Sequence, residues 1–229
     1  MSDWFDARVA SVSPAAEGLV HVVLEVPSEV AASHAIPGQY VKLSPASGGE
    51  GFFAIASGPG AASDRVSLLI KLGGAVADAI AALPAGAAVR TTKAQGKGFP
   101  MDRAGGRDLV LVATGSGVSP VRSVIEAIVA RRGDFGKVSL YHGARTPDAF
   151  AYREEWDAWR AAGIDVFPVV SRPQDSGWTG LTGYVQTHLD GVHLTTAIAF
   201  LCGQKAMVEA VKKALADKGM APDAIFLNF

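Results

Sequence analysis

The pattern of hydrophobic and polar positions divides the chain into two halves. In the first hundred residues, short alternating or β-branched apolar runs are separated by turn clusters, at 5–12, 19–26, 40–43, 52–55, 66–71 and 87–92. Regularly spaced short strands of this kind predict an antiparallel β-barrel. One helical stretch, at 76–83, interrupts the strands after Gly73-Gly74.

From residue 109 onward the pattern changes to strands that alternate with helices. The predicted strands are 109–113, 138–142, 164–170, 197–202 and 224–227, and the predicted helices are 120–132, 152–162, 183–189 and 205–218. This alternation predicts an α/β domain with a doubly wound, parallel, five-stranded sheet. We therefore expect two domains, 1–104 and 105–229, joined by a segment rich in Gly, Lys and Arg.

Composition narrows the classes of function. The 229 residues carry a formal net charge of −1, which argues against a nucleic-acid-binding protein. No apolar run is long enough to span a membrane. The single cysteine, Cys202, excludes disulfides within the chain and cysteine-ligated zinc or iron–sulfur centres, and the five histidines lack metal-ligand spacing. We expect no metal.

The most informative local pattern is the turn that follows the first strand of the second half. The apolar run 109–112 ends at small residues, and a helix pattern follows with Ser119 placed as N-cap and Pro120 as its first residue. A glycine turn that leads into a helix N-terminus can bind a phosphate through bare amides. An ordinary βα turn remains the alternative. The residues expected at the nucleotide are Thr114, Gly115, Ser116, Gly117, Ser119 and Pro120.

Short motifs in a fixed order point to a family. They are Pro37-Gly38-Gln39-Tyr40-Val41, Phe53-Ala54-Ile55-Ala56-Ser57, Gly96-Lys97-Gly98-Phe99, Ser171-Arg172, Gly183-Tyr184-Val185-Gln186, Cys202-Gly203-Gln204 and Ile225-Phe226-Leu227-Asn228-Phe229. With these motifs the chain resembles the ferredoxin–NADP reductase superfamily over nearly its full length. Their combination is most similar to the chloroplast ferredoxin–NADP reductase-like proteins of plants and algae.

The resemblance implies a flavin site on the barrel, with one departure from the family. The family strand Arg-x-Tyr-Ser is represented by Gly51, Phe53 and Ala54, so the arginine for the flavin diphosphate and the serine for flavin N5 are missing. Phe53 can still stack on the ring, unless it is only a core residue of the barrel. The residues expected at FAD are Phe53, Ala54, Ile55, Ala56, Ser57, Lys71, Gly73, Gly74, Ala75 and Val76.

The resemblance also implies an NADP site at the edge of the parallel sheet. Ser171 and Arg172 match positions that hold the 2′-phosphate, and Tyr184 matches an aromatic residue that stacks on adenine. Gln186, Gly203 and Gln204 complete the expected contacts. We expect Lys97, Arg145 and Arg172 to converge near one sheet edge and to favour NADP over NAD, although each cation alone could serve a surface salt bridge.

Two residues are expected beside the reacting rings. Cys202 ends the predicted fourth strand, where the family places a cysteine that positions the nicotinamide, and a buried structural role is compatible with this. Phe229 matches a terminal aromatic residue that covers the flavin, or it packs between the domains. Neither residue needs to act as a nucleophile, because the cofactors carry the chemistry.

These expectations describe a FAD-containing oxidoreductase that moves hydride and electrons between NADP(H) and an electron carrier, either ferredoxin or another acceptor. A weakly catalytic flavin-binding module that docks on a membrane or enzyme complex is the alternative. We expect a monomer, located in the chloroplast stroma or at the thylakoid surface as a mature form, or else in the cytoplasm. A basic dock for ferredoxin could use Lys42, Lys71, Lys93, Lys97 and Arg103.

Overall fold

The first half of the chain folds as a closed antiparallel barrel. The computed structural model describes residues 3–60, 64–173, 176–189 and 196–228. The six strands of the barrel are β1 (Trp4–Ala16), β2 (Leu19–Glu25), β3 (Tyr40–Pro45), β4 (Gly51–Ala54), β5 (Arg65–Lys71) and β6 (Ala88–Thr92), in the order β4-β3-β6-β1-β2-β5. A bridge between Ile55 and Leu68 joins the two outer strands and closes the barrel. The predicted barrel is confirmed.

The barrel interior is built from alternate residues of these strands. Val22, Leu24, Val41 and Leu43 are buried together in one cluster, because successive strand residues point to opposite faces. Two short helices cover this core, α1 (Ser28–Ser33) and α2 (Ala75–Ala81). Helix α1 was not predicted, since its six residues bury only Val30 and are too few to show a helical period.

The second half folds as a parallel sheet with helices. Its strands are β7 (Leu109–Thr114), β8 (Val138–Ala144), β9 (Ile164–Val170), β10 (Leu181–Thr182), β11 (Ile198–Cys202) and β12 (Ile225–Leu227), in the order β10-β9-β8-β7-β11-β12, and its helices are α3 (Val118–Val129), α4 (Trp156–Ala161) and α5 (Lys205–Asp217). Strands pair in parallel throughout. The strand order reverses direction between β7 and β11, and ligands of such sheets bind at that switch point.

The structure corrects two details of the second half. The sheet has six strands rather than five, because the two-residue β10 pairs with β9 through Leu181 and Thr182. The helix predicted at 183–189 is only a single 3₁₀ turn, Val185–Thr187. Gly183 donates its amide to the carbonyl of Val170, which keeps this segment at the sheet edge and leaves no length for a helix.

The two halves pack through a common core. Leu19, Ala56 and Leu69 of the barrel lie in the hydrophobic cluster of the parallel-sheet domain. The connecting segment is also fixed in place: Phe99 donates its amide to Pro37, and its ring stacks on Phe200 of β11 at 4.8 Å. The domain boundary at residues 104 and 105 stays a prediction.

Candidate functional site

The turn after β7 has the shape expected of a phosphate site. Residues Gly115–Gly117 form one 3₁₀ turn between β7 and α3. The twelve-residue helix α3 begins directly after this turn. The amides of Ser116 and Gly117 therefore lie at the positive end of the helix, a position that favours an anion.

The helix after this turn begins earlier than predicted. Helix α3 starts at Val118, so Ser119 and Pro120 are its second and third residues, and both are buried. The Ser119 hydroxyl donates to the carbonyl of Ala54 in the barrel at 2.9 Å and makes no cap. The prediction of Ser119 as N-cap is therefore wrong, and the contact of Ser119 and Pro120 with a nucleotide stays a prediction.

The ends of β7 and β11 touch each other at the switch point. A Cβ atom on Gly117 would lie 2.3 Å from the carbonyl oxygen of Cys202, and one on Gly203 would lie 2.2 Å from Oγ1 of Thr114. The exposed Gln204 donates its amide to the same Thr114 oxygen at 3.4 Å. These contacts bring Thr114, Gly117, Cys202 and Gly203 together at the crevice.

Cys202 is suited to positioning rather than to nucleophilic attack. Burial raises the pKa of the Cys202 thiol to about 12, because the charged thiolate loses solvation there. The thiol is therefore neutral at physiological pH and presents an uncharged, polarizable surface. This agrees with the expected role beside a planar ring.

A second group of residues lies after β8, β9 and β10. The amide of Arg172 donates to the carbonyl of Arg145, and that of Ser171 donates to Ala144, so the loops after β8 and β9 run side by side. Tyr184 follows β10 and its ring is 65% exposed. Gln186, two residues later, is half-buried. The structure thus brings two exposed arginines, a serine hydroxyl and an exposed aromatic ring to one edge.

Lys97 lies on the connecting segment between the two domains. It is exposed and precedes Phe99, whose ring stacks on Phe200 of β11. Strand β11 lies on the opposite side of β7 from β8 and β9. The connecting segment thus packs on the β11 side of the switch point, and the convergence of Lys97 with Arg145 and Arg172 stays a prediction.

The strand expected to bind flavin has an altered surface. Phe53 is half-buried, and a Cβ atom on Gly51 would lie 2.8 Å from its ring and 3.2 Å from Val76. The missing arginine and the position of Phe53 are thus linked, because the ring occupies the space above Gly51. The neighbouring Phe52 is the exposed aromatic residue, and its ring lies 5.6 Å from that of Tyr40.

Residues 55 and 56 are structural. Ile55 and Ala56 have no exposed surface, and their amides donate to Gln39 and Ser67. The hydroxyl of half-buried Ser57 accepts the amide of Ser67 at 3.2 Å. These residues join the barrel to the second domain, and their contact with the flavin stays a prediction.

The start of α2 fits the diphosphate of a dinucleotide. Lys71, Gly73, Gly74 and Ala75 are exposed, and no atom lies within 4 Å of a Cβ placed on either glycine. Gly73 donates its amide to the Asp78 carboxylate at 2.8 Å. The amides of Ala75, Val76 and Ala77 have no acceptor in the described ranges, so three consecutive donors remain open.

The end of the chain reaches the barrel. The Asn228 side chain is buried and donates to the carbonyl of Gly38 at 3.2 Å. The predicted residue Phe229 lies outside the described residues, so its role stays a prediction. Across the described ranges, no cluster of His, Cys, Asp and Glu suits a metal ion, and no helix has both the length and the apolar character to cross a membrane.

Sequence reasoning missed an ionic group between the domains. Arg122 on α3 contacts Glu155 and Glu126 and donates to the carbonyl of Ala56. Burial alone would lower the pKa of Arg122, but the hydrogen bond to Glu155 and the charge of Glu126 raise it. The one available signal was a cation on the apolar, buried face of α3.

Comparison with known proteins agrees with this geometry. The family model described as "Oxidoreductase NAD-binding domain" matches residues 111–213. The chain is 32% identical over 227 residues to ferredoxin–NADP reductase B of Sorangium cellulosum, covering 91% of this chain and 90% of that protein. It is 31% identical over 197 residues to sulfhydrogenase 1 subunit gamma of Pyrococcus furiosus, covering 84% and 67%.

A solved structure shows the same two-domain fold. A ferredoxin NADP+ reductase from Neisseria gonorrhoeae with bound FAD and NADP superimposes with a TM-score of 0.84 at 20% identity, over 99% of this chain and 98% of that one. The barrel, the parallel sheet and the switch point thus have counterparts in that enzyme. The chain belongs to the ferredoxin–NADP reductase-like family of oxidoreductases, which use a flavin and a pyridine nucleotide.

Proposed function

We propose that the protein is a FAD-containing enzyme that takes hydride from NADPH, or returns it to NADP+, and exchanges electrons with a separate acceptor. The observation that carries this proposal is the hydrogen bond between Ser119 and Ala54. It joins the helix that starts at the nucleotide turn to the strand where the family holds the flavin ring. The two cofactors would therefore meet at one crevice.

The residues around the crevice have separate parts in this reaction. Bound FAD supplies the ring that accepts or donates hydride, and the protein supplies distance and orientation. The open amides at the start of α2 would hold the flavin diphosphate, and the turn at Ser116 and Gly117, before α3, would hold that of the nucleotide. Cys202 would pack beside the nicotinamide as a neutral thiol.

The choice of NADP over NAD rests on the edge formed after β8, β9 and β10. Arg145 and Arg172 have no ion-pair partner in the described ranges, so two free guanidinium groups face solvent beside the Ser171 hydroxyl. Guanidinium groups bind a charged phosphate more strongly than an uncharged ribose hydroxyl. The exposed Tyr184 ring would stack on adenine.

The acceptor is proposed from charge. Of the five cations in the suggested dock, Lys42, Lys93 and Arg103 pair with surface carboxylates, while Lys71 and Lys97 have no ion pair among the described residues. Exposed ion pairs are weak, so these cations could re-pair with an acidic protein such as ferredoxin. If the rate of turnover with ferredoxin does not change with ionic strength, the proposed docking site is contradicted.

A second candidate function is a flavin-binding module that docks on a larger complex and catalyses weakly. Gly51 and Ala54 favour it, because the chain lacks the two polar side chains that the family uses to hold and tune the flavin. The match to a sulfhydrogenase subunit is compatible with such an assembly. Of the two candidates we propose the enzyme first. We propose that it is a monomer, similar to the chloroplast ferredoxin–NADP reductase-like proteins, and that it acts in the chloroplast or in the cytoplasm.

One titration tests both candidates. Purified full-length protein is loaded with FAD and mixed anaerobically with NADPH or NADH, while the flavin absorbance is followed. Rapid bleaching by NADPH, with a much weaker response to NADH, supports the enzyme. Bound flavin that NADPH does not reduce supports the module, and protein that retains no FAD refutes both.

A further inference from the structure

One face of α3 binds the extended backbone that runs from the last residue of β4 onward, at every second residue. The Ser119 hydroxyl donates to the carbonyl of Ala54 at 2.9 Å, and Nη1 of Arg122 donates to that of Ala56 at 3.0 Å. The amide of Gly58 donates to the Glu126 carboxylate. Residues 119, 122 and 126 share one helix face, and the bonded groups alternate as strand geometry requires.

Arg122 anchors this contact firmly. Its side chain is only 16% exposed, and its Nε donates to both carboxylate oxygens of Glu155 at 2.9 and 3.0 Å. The guanidinium also lies over the Tyr152 ring at 5.0 Å. A charged group with this many partners is held in one orientation, so the strand that it binds is held as well.

The same helix begins at the nucleotide turn. Ser119 lies two residues after Gly117, which itself contacts the backbone of Cys202. The hydroxyl of Ser119 binds Ala54, and residue 54 is the position at which this chain lacks the family's serine hydroxyl. A single rigid element therefore touches both the place of the nicotinamide and the place of the flavin ring.

We propose that Ser119, Arg122 and Glu126, here termed the strand clamp, are positioning residues that set the separation of the two cofactors. The proposal rests on the proposed function, because it concerns hydride transfer between them. Transfer rates depend steeply on the distance and angle of the reacting atoms. The clamp would fix that distance by holding backbone groups of residues 54, 56 and 58. These groups are present although residue 54 is alanine and not the family's serine.

The competing explanation is that the clamp only holds the domains together. Under it, loss of one hydrogen bond would lower stability and leave the chemistry of the surviving folded protein unchanged. Helix α3 offers a matched control in Ser123, whose hydroxyl is fully buried and has no hydrogen-bond partner among the described residues. Ser119→Ala and Ser123→Ala remove the same atom from the same helix, but only the first removes a clamp bond.

The test compares both variants with wild-type protein loaded with FAD. We expect Ser119→Ala to slow the limiting rate of flavin reduction by NADPH about tenfold or more, with the Kd of NADPH changed less than about twofold. Ser123→Ala should match the wild type. In oxidised protein without nucleotide, amide hydrogen exchange of residues 53–58 should be faster in Ser119→Ala only.

Each outcome decides the proposal. Equal reduction rates in the two variants overturn it, and so does unchanged exchange in residues 53–58. If Ser119→Ala does not fold, Arg122→Lys replaces it. Lysine keeps the charge but has one nitrogen in place of the two, Nε and Nη1, that bind Glu155 and Ala56, so a normal rate overturns the clamp. Wild-type flavin that NADPH does not reduce refutes the proposed function instead, and the exchange measurement then decides the clamp alone.

Discussion

The backbone of Gly117 lies so close to Cys202 that a Cβ atom there would be 2.3 Å from the Cys202 carbonyl oxygen. Because the obstacle is backbone, the Gly117→Ala variant must separate β7 from β11 at the crevice. We expect it to lose about 1–3 kcal/mol of folding free energy through overpacking. Displaced amides should also weaken NADP+ binding about tenfold or more, since each well-placed bond to a charged group contributes about 1.5–3 kcal/mol.

Calorimetric titration with NADP+ and thermal unfolding measure these two effects. Gly133→Ala is the matched control, because a Cβ on Gly133 meets no atom within 4 Å and the backbone is not left-handed there. If the Gly117→Ala variant binds NADP+ as tightly as the wild type, the assignment of this turn to the nucleotide is contradicted.

Arg172 should decide the preference for NADP. Removing one guanidinium from a phosphate contact costs about 1.5–3 kcal/mol, so Arg172→Ala should weaken NADPH binding by about 10- to 150-fold. Binding of NADH, which lacks the 2′-phosphate, should change less than about twofold. Affinities of both nucleotides are measured by equilibrium titration.

The control for this prediction is Arg131→Ala. Arg131 is an exposed arginine after α3, and its removal changes the net charge by the same amount. If Arg131→Ala lowers the affinity for NADPH as much as Arg172→Ala does, the effect comes from overall charge and not from a specific contact.

Gly51 and Phe53 should behave as a coupled pair. A Cβ on Gly51 would lie 2.8 Å from the Phe53 ring, so Gly51→Ala should cost about 1–3 kcal/mol of folding free energy. In a Phe53→Leu background the smaller side chain leaves room, and the cost should fall by more than half. Denaturant unfolding of the four proteins of this cycle gives the coupling energy.

This coupling bears on the missing arginine. If the two substitutions are additive, Phe53 does not occupy the space above Gly51, and Gly51→Arg alone could restore a diphosphate contact. With coupling, Gly51→Arg should destabilise the fold and bring no gain in FAD affinity unless Phe53 is replaced as well.

His142 should make the protein sensitive to acid. The ring is fully buried among Phe150 and Trp156, and its two nitrogens have no hydrogen-bond partner in the part of the chain that the structure describes. Burial lowers the pKa of His142 from 6.5 to about 3. The unfolded chain binds a proton as pH falls below 6.5 while the folded chain does not. The contribution of neutral His142 to the free energy of unfolding is therefore fully present above pH 6.5 and is lost as the pH falls toward 3.

The size of this effect follows from one proton. His142→Leu should make the fall in unfolding free energy shallower by about 1.4 kcal/mol per pH unit between about pH 6 and pH 4. His34, whose burial lowers its pKa to about 4, contributes in the same range and remains in the variant. Leu140→Ala on the same strand should lower stability without altering the slope, and an unaltered slope in His142→Leu would contradict the prediction.

The extent to which the sequence predicts the site depends on how local each contact is. The approach of Arg145 to Arg172 was predictable, because parallel strands end at one edge and each arginine follows its strand directly. The position of Lys97 was not, because it depends on Phe99 stacking against Phe200, about a hundred residues away in the chain. The local pattern of hydrophobic and polar residues predicts the strands, but it does not predict how a connecting segment packs against them.

Ser119 shows the same limit at a single residue. Its place before Pro120 favours a helix cap, yet the helix starts earlier and the hydroxyl binds Ala54, 65 residues away. Capping propensity is a local preference that a tertiary partner can override. Strand β10 is a related case, since two residues carry too little pattern to reveal a sheet edge.

The shared core of the two domains has a consequence for how the protein comes apart. Leu19, Ala56 and Leu69 are barrel residues, but they complete the apolar cluster beneath the parallel sheet. Each half, made separately, would expose the apolar surface that the other half covers in the intact chain. We therefore expect gene fusions that exchange one half to need the matching surface of the other.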